Sequence, residues 1–152
     1  MFRSLSESTG FDPAEQWGAD LFDTLTEADL FFPNEVELAA LSGESDPERG
    51  VRKLSQGRTR IVAKLGANGS MTVENGEVVH CPALPVQPVD TTGAGDSFNA
   101  GFLHAWVRRQ PILECLRFGA ACGALSTLGM GGTGSQPTEQ QAREFIAKGA
   151  SS

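Results

Sequence analysis

The stretch DTTGAGDSFNAGFL, residues 90–103, combines three features that phosphoryl-transfer chemistry uses. Gly93, Ala94 and Gly95 form a run of small residues, Asp96 follows directly, and the pattern of a buried helix continues beyond it. Glycine has no Cβ, so the amides of such a run can approach a ligand closely. Unpaired amides at a helix start, with the positive end of the helix dipole behind them, form an anion site. The residue pattern therefore predicts an oxyanion hole here.

Asp96 has two interpretations. A carboxylate beside an anion site repels the anion, so it needs a separate task. Accepting a proton from a substrate hydroxyl, while the amides hold a phosphoryl group, is such a task. The alternative is an acid that the helix dipole favours near a helix start and that does no chemistry. The adjoining Gly-Ala-Gly run favours the first interpretation.

Length and composition limit the class of protein. The 152 residues, with 39% hydrophobic and 20% charged side chains, predict one ordinary globular domain. A net charge of −7 disfavours nucleic acid as a partner, so any phosphate site must be built locally. No apolar run approaches the ~20 residues that span a bilayer. The N-terminus lacks the apolar centre of a signal peptide. We therefore expect a cytoplasmic protein without a membrane partner.

Hydrophobic periodicity predicts helices alternating with short apolar strands, which is typical of an α/β fold with parallel strands. The predicted helices cover 13–27, 34–43, 45–54, 94–109, 111–128 and 138–148. Gly43 is expected just past the C-terminus of the second helix, and the run SDPE, 45–48, is expected to start the third as a capping box with Ser45 at the N-cap. The predicted strands cover 29–33 and 59–66, with a hairpin over 70–82 that turns at Asn75-Gly76. Only two of these strands are good parallel strands, and such a core is marginal. More sheet is expected from elsewhere.

The three cysteines form no CxxC pair, which disfavours a disulfide framework or a zinc site. Cys115 and Cys122 are seven residues apart and are expected to share one buried helical stripe. His80 and His104 have no neighbouring ligand pattern and are expected to be structural. The GMGGTG run at 129–134 follows a helix instead of a strand, so we interpret it as a loop and not as a dinucleotide fingerprint.

Two further motifs are weak on their own. Asn34 and Glu37, in NEVE, have the spacing of a capping box, with Asn at the N-cap and Glu at N3. The KLGANGS run at 64–70 follows a predicted strand and would by itself be a plain strand-exit turn.

Taken together and in this order, the motifs resemble the ribokinase-like, or PfkB, family of carbohydrate kinases. DTTGAGDSFNAGFL resembles the family's second signature at every position, NEVE its N-x-x-E, and KLGANGS its K/T-x-G-x-x-G nucleotide turn. The run GALSTLGMGGTGSQPT, 123–138, resembles the C-terminal region of its sugar kinases. The resemblance extends from about residue 8 to 148. It implies a three-layer α/β/α fold with a mostly parallel sheet.

The resemblance also implies roles for individual residues in an ATP-dependent, Mg²⁺-requiring transfer to a sugar hydroxyl. Asp96 would be the catalytic base. The anion hole would consist of Gly93, Ala94 and Gly95. The residues against ATP would be Lys64, Gly66 and Gly69. Asn34 and Glu37 would organise Mg²⁺ through water. Many members bind K⁺ beside the anion hole, and the matching positions are Asp90, Thr92 and Ser135. The adenine pocket would come from helices around 111–128, where Gly119-Ala120-Ala121 replaces an asparagine common in the family.

Family members are longer than this chain, and their N-terminal half supplies the sugar-contacting residues and the lid. The resemblance thus implies a single partial domain over 1–152, the C-terminal half, with that other half absent. Three interpretations stay open: a truncated product, a domain that self-associates or is complemented by an N-terminal half, and a silent nucleotide-binding fragment. Because a lid excludes water and aligns the hydroxyl, we expect little or no sugar phosphorylation from the chain alone.

Overall fold

The computed structural model describes residues 4–5, 28–129 and 136–149. These residues fall into two compact units. The first contains 4–5, 28–66 and 70–80, and the second contains 67–69, 81–129 and 136–149. The helix predicted over 13–27 and residues 130–134 of the predicted loop lie outside the described residues.

A five-stranded sheet has the strand order β1-β2-β3-β4-β5. Its strands are β1 Ser4–Leu5, β2 Leu30–Phe31, β3 Arg60–Lys64, β4 Ser70–Glu74 and β5 Glu77–Cys81. The first three run parallel, whereas β4 is antiparallel to β3, so the sheet is mixed. The α/β class with parallel strands is confirmed. The prediction of only two parallel strands was wrong, because two-residue β1 is too short to show a periodic pattern.

Two helices, α1 Glu35–Ser42 and α2 Pro47–Leu54, connect β2 to β3 and pack on the sheet. Asn34 caps α1, and Gly43 ends it in the left-handed conformation, as predicted. The capping box expected at 45–48 is different: Asp46, not Ser45, is the N-cap of α2 and accepts from the Glu48 amide at 3.0 Å. The shared core consists of Phe31, Leu38, Leu41, Val51, Ile61, Ala63 and Leu65.

The predicted hairpin between β4 and β5 is confirmed. Asn75 has φ 52° and Gly76 has φ 83°, so both central residues are left-handed. This is the requirement of a type I′ turn, which Asn-Gly satisfies at low steric cost.

In the second unit, three helices occupy the predicted positions: α3 Ala94–Trp106, α4 Ile112–Ser126 and α5 Glu139–Gly149. The first two are shorter than predicted, and α5 is shifted by one residue. Phe98, Phe102 and Ala105 form the buried face of α3. At Gly101, a Cβ would lie 2.7 Å from the Phe118 carbonyl oxygen, so this glycine lets α3 and α4 approach closely. Close approach buries more apolar surface between the two helices, which stabilises the unit.

The three cysteines are free thiols. Cys115 is fully buried, as expected, but Cys122 is only partly buried, although it packs where α4 passes Gly101. Within the described ranges, no helix is both long enough and apolar enough to cross a membrane. Over the same residues, no three His, Cys, Asp or Glu side chains cluster in a way that would hold a metal ion.

Candidate active site

The turn before α3 has the geometry of an anion site. Gly93 is the N-cap of α3 with φ 76° and ψ 3°, a left-handed conformation that strains other residues. No side chain caps the helix start. The Ala94 amide donates to the Thr91 carbonyl over 3.2 Å. The amides of Gly93, Gly95 and Asp96 make no hydrogen bond to any described residue. Two of the three predicted anion-hole amides are therefore open, and the third is engaged in a long bond.

Asp96 is the third residue of α3, and its side chain is exposed. Its carboxylate makes no hydrogen bond within the part of the chain that the structure describes. The next two residues are buried, since Phe98 packs its ring against Gly119 and anchors the helix start. The acid thus stands free on a fixed helix turn beside open amides. This arrangement is what a general base requires, although the role of Asp96 stays a prediction.

The segment that leads into the turn is pinned to the end of α4. The amides of Val89 and Asp90 donate to the Thr127 carbonyl at 2.8 and 3.1 Å. The Thr92 amide donates to Asp90 Oδ1 at 2.9 Å, which closes an Asx turn. Asp90 and Thr92, two of the predicted K⁺ positions, therefore lie together. Ser135, the third, lies outside the described residues.

In the first unit, the carboxyl ends of β2 and β3 bring Asn34 and Lys64 together. The two residues form a parallel bridge, and the Lys64 amide donates to the Pro33 carbonyl at 2.8 Å. Ligands of open parallel sheets bind at this end of the strands. Asn34 Oδ1 accepts from the Glu37 amide at 2.9 Å, and Glu37 Oε2 accepts from the Asn34 amide at 2.8 Å. The capping box is confirmed, while contact with Mg²⁺ stays a prediction.

The predicted nucleotide turn leaves β3 as a short 3-10 helix, Gly66–Asn68. Gly66 has φ 55°, and nothing lies within 4 Å of where its Cβ would be, so its backbone is open. Gly69 has φ 89°, and a Cβ there would overlap the Cys81 carbonyl oxygen. Gly69 therefore fixes the end of the turn, whether or not ATP binds beside it.

One residue of this region was missed from the sequence. Ser70 stands opposite Lys64 in the β3–β4 register, is 1% exposed, and its hydroxyl has no hydrogen-bond partner among the described residues. The alternation Ser-Met-Thr-Val shows that Ser70 shares a face with Thr72. Its place opposite Lys64 depends on strand register, which the sequence does not provide.

Comparisons with known proteins give relatives of this chain in sequence and in fold. The family model for pfkB family carbohydrate kinases matches residues 10–139. An ATP-dependent ribose-1-phosphate kinase of Halopiger xanaduensis is 38% identical over 144 residues, which cover 93% of this chain and 47% of that kinase. The chain thus spans about half the length of such relatives.

Two solved structures share the fold. Arabidopsis thaliana ribokinase, complexed with ribose and ATP, matches with a TM-score of 0.73 and 35% identity, over 80% of this chain and 42% of that one. A putative ribokinase II from E. coli, in complex with ATP and Mg²⁺, matches with a TM-score of 0.76 and 29% identity, over 84% of this chain and 42% of that one. The chain has the ribokinase-like fold over part of that fold's length.

Proposed function

Because the chain belongs to the pfkB family of carbohydrate kinases, we propose that it carries the nucleotide-binding and catalytic-base part of an ATP-dependent sugar kinase. The γ-phosphoryl group of ATP is transferred to a sugar hydroxyl, with Asp96 as the base. The observation that carries this proposal is the free carboxylate of Asp96 beside the open amides of Gly93 and Gly95. Relatives that bind ribose and ATP support the substrate class.

In this proposal the turn and the acid divide the work. The amides at the start of α3 hold the negative charge of the phosphoryl group, helped by the helix dipole. Asp96 orients the sugar hydroxyl and accepts its proton as the oxygen attacks phosphorus. The chain is acidic overall, so this local field, and not long-range attraction, retains the phosphates.

The residues at the strand ends fit ATP and Mg²⁺. Lys64 supplies an ammonium group, and the open backbone of Gly66 permits close approach of a phosphate. Asn34 Oδ1 and Glu37 Oε2 each already accept a capping hydrogen bond. Contact with Mg²⁺ through water keeps that cap, so we infer that water mediates it. Mg²⁺ supplies neutralisation of phosphate charge when it is bound.

The adenine pocket and the monovalent cation are less well defined. Gly119 and Ala121 are buried, so of the set at 119–121 only half-buried Ala120 offers surface to a base. The proposed K⁺ site at Asp90 and Thr92 is supported only by the Asx turn that joins these two residues. A cytoplasmic location stays a prediction.

A second function is kept as an alternative for the chain as given, which covers 47% of the Halopiger kinase and 42% of the Arabidopsis ribokinase. In this alternative the chain binds nucleotide but does not transfer phosphate, or assembles with a complementing half.

Isothermal titration with ATP·Mg²⁺ and an ADP-release assay over a sugar panel, each with wild type and Asp96→Asn, separate the two functions. A kinase loses at least about a hundredfold in turnover on this substitution, while ATP affinity changes less than about twofold. Asp46→Asn is the charge-matched control, because Asp46 is an exposed acid at the N-cap of α2 and asparagine caps a helix equally well. ATP binding without turnover supports the silent fragment. Absence of ATP binding by the wild type refutes the kinase proposal and the silent nucleotide-binding fragment, and leaves only assembly with a complementing half.

A further inference from the structure

The inference concerns Ser70, and it rests on the proposed function because it deepens the nucleotide site. Buried hydroxyl groups in folded proteins nearly always have a hydrogen-bond partner, because a buried hydroxyl without a hydrogen bond lowers stability. Ser70 is 1% exposed, and its Oγ has no partner among the described residues. Such a group is expected where function outweighs stability.

The position of Ser70 indicates which residue it serves. Ile61 and Ala63 of β3, and Met71 and Val73 of β4, pack on the α1–α2 core. Side chains alternate along strands, so the residues between and beside them project from the other face.

Lys64 and Ser70 therefore share that other face, and they are direct partners in the strand register. Directly opposite residues have Cβ atoms about 4.5–5.5 Å apart. A lysine ammonium has three donors and no acceptor, whereas a serine hydroxyl can accept and donate at once. The two side chains are thus complementary neighbours at the strand end where the nucleotide turn begins.

We propose that Ser70 is a positioning residue of the nucleotide site: its hydroxyl accepts a hydrogen bond from the Lys64 ammonium when phosphate binds, and holds that charge beside Gly66, where the turn begins. Ser70 itself does not touch the nucleotide, because its oxygen is buried. The rotamer freedom of a lysine is large, so a fixed acceptor lowers the entropy that binding would otherwise cost.

The test measures ATP·Mg²⁺ affinity by titration and thermal stability for four chains: wild type, Ser70→Ala, Ser55→Ala and Lys64→Met. Ser55, at the C-cap of α2, is the matched control, because its Oγ is also buried and unpartnered within the described residues. Both alanine variants should keep or raise the melting temperature, since each removes an unsatisfied hydroxyl. Only Ser70→Ala should weaken ATP binding, by about tenfold.

The double variant Ser70→Ala/Lys64→Met shows whether the effect passes through Lys64. In the Lys64→Met background, Ser70→Ala should change ATP affinity less than about twofold, since the group that Ser70 holds is gone. If Lys64→Met binds too weakly to measure, the ATP-induced shift of the Lys64 ¹³Cε resonance should shrink in Ser70→Ala.

Four outcomes of these measurements would overturn the inference. If wild type binds ATP and Ser70→Ala binds it with equal affinity, this inference is overturned and the proposed function stands. A tenfold loss that persists without the lysine, or an equal loss in Ser55→Ala, also overturns it. Absence of ATP binding by wild type refutes the proposed function, and with it the inference.

Discussion

Replacing Gly69 with alanine tests how the nucleotide turn is held. Gly69 has φ 89°, and a Cβ there would overlap the Cys81 carbonyl oxygen and lie 2.8 Å from the Ala83 amide nitrogen. Both neighbours are backbone atoms, which cannot move aside as a flexible side chain does. Gly76, in the β4–β5 hairpin, has nearly the same φ, 83°, with nothing within 4 Å of the same position. The two glycines therefore differ mainly in their surroundings.

The expected costs follow from this difference. Left-handed backbone costs an L-residue about 1–2 kcal/mol, which applies to both alanine variants. Overpacking adds about 1–3 kcal/mol at Gly69 alone. Gly76→Ala should therefore lower the free energy of unfolding by about 1–2 kcal/mol, and Gly69→Ala by about 2–5 kcal/mol. Since domains of this kind unfold with about 5–15 kcal/mol, Gly69→Ala removes a large part of the stability.

Guanidinium unfolding, followed by far-UV circular dichroism, gives both free energies from the midpoint and slope. Equal losses in the two variants would refute the close approach of the turn to Cys81–Ala83. A loss at Gly69 that comes with a changed slope would indicate an altered denatured state instead of a local clash.

Three other substitutions, one of them with a matched control, give distinct results. Asn34→Ala removes the hydrogen bond from the Glu37 amide to Asn34 Oδ1, and should lower the free energy of unfolding in guanidinium by about 1 kcal/mol. Gly101→Ala should lower the free energy of unfolding by about 1–2 kcal/mol, because the new Cβ meets the backbone of α4, and this outweighs the better helix propensity of alanine. Its control is Gly57→Ala, where the new Cβ lies in open space and should raise the free energy of unfolding by about 0.4–1 kcal/mol. A hydrogen bond from Arg143 lowers the pKa of Glu139. A carboxylate with a lowered pKa stabilises the folded chain at pH values above its ordinary pKa, about 4.3. This stabilisation is lost as the pH falls through the lowered pKa of the folded state. Glu139→Gln should therefore flatten the fall of the melting temperature with acid.

Each of these has a contrary outcome. An unchanged unfolding midpoint in Asn34→Ala would show that the cap adds nothing to α1. A more stable Gly101→Ala would show that α3 and α4 can separate at no cost. An acid-induced fall in melting temperature that is equally steep in Glu139→Gln would show that the ion pair of α5 makes no contribution.

Local sequence patterns predicted most elements because their signals are local. Asn34 and Gly43 define both ends of α1, and Asn75-Gly76 defines the hairpin. Strand β1 was missed, because two residues cannot show a period. The cap of α2 was misplaced by one residue, since Ser45 and Asp46 are both good caps and the sequence does not decide between them.

The candidate site was only partly predictable for the same reason. The turn at Gly93 and the exposed position of Asp96 follow from a contiguous motif. The pairing of Lys64 with Asn34 and with Ser70 depends on strand register, which arises from long-range packing. The bond from the Ala94 amide to Thr91 depends on the path of the loop and was not foreseen.

The central claim is that the start of α3 holds phosphate beside Asp96. The most direct test is a ¹H–¹⁵N correlation spectrum of the labelled chain, titrated with ATP·Mg²⁺ and, separately, with tripolyphosphate. The amides of Gly93, Gly95 and Asp96 should show the largest shifts with both ligands. Binding of both ligands that leaves these three amides unshifted, with the largest changes elsewhere, would contradict the claim.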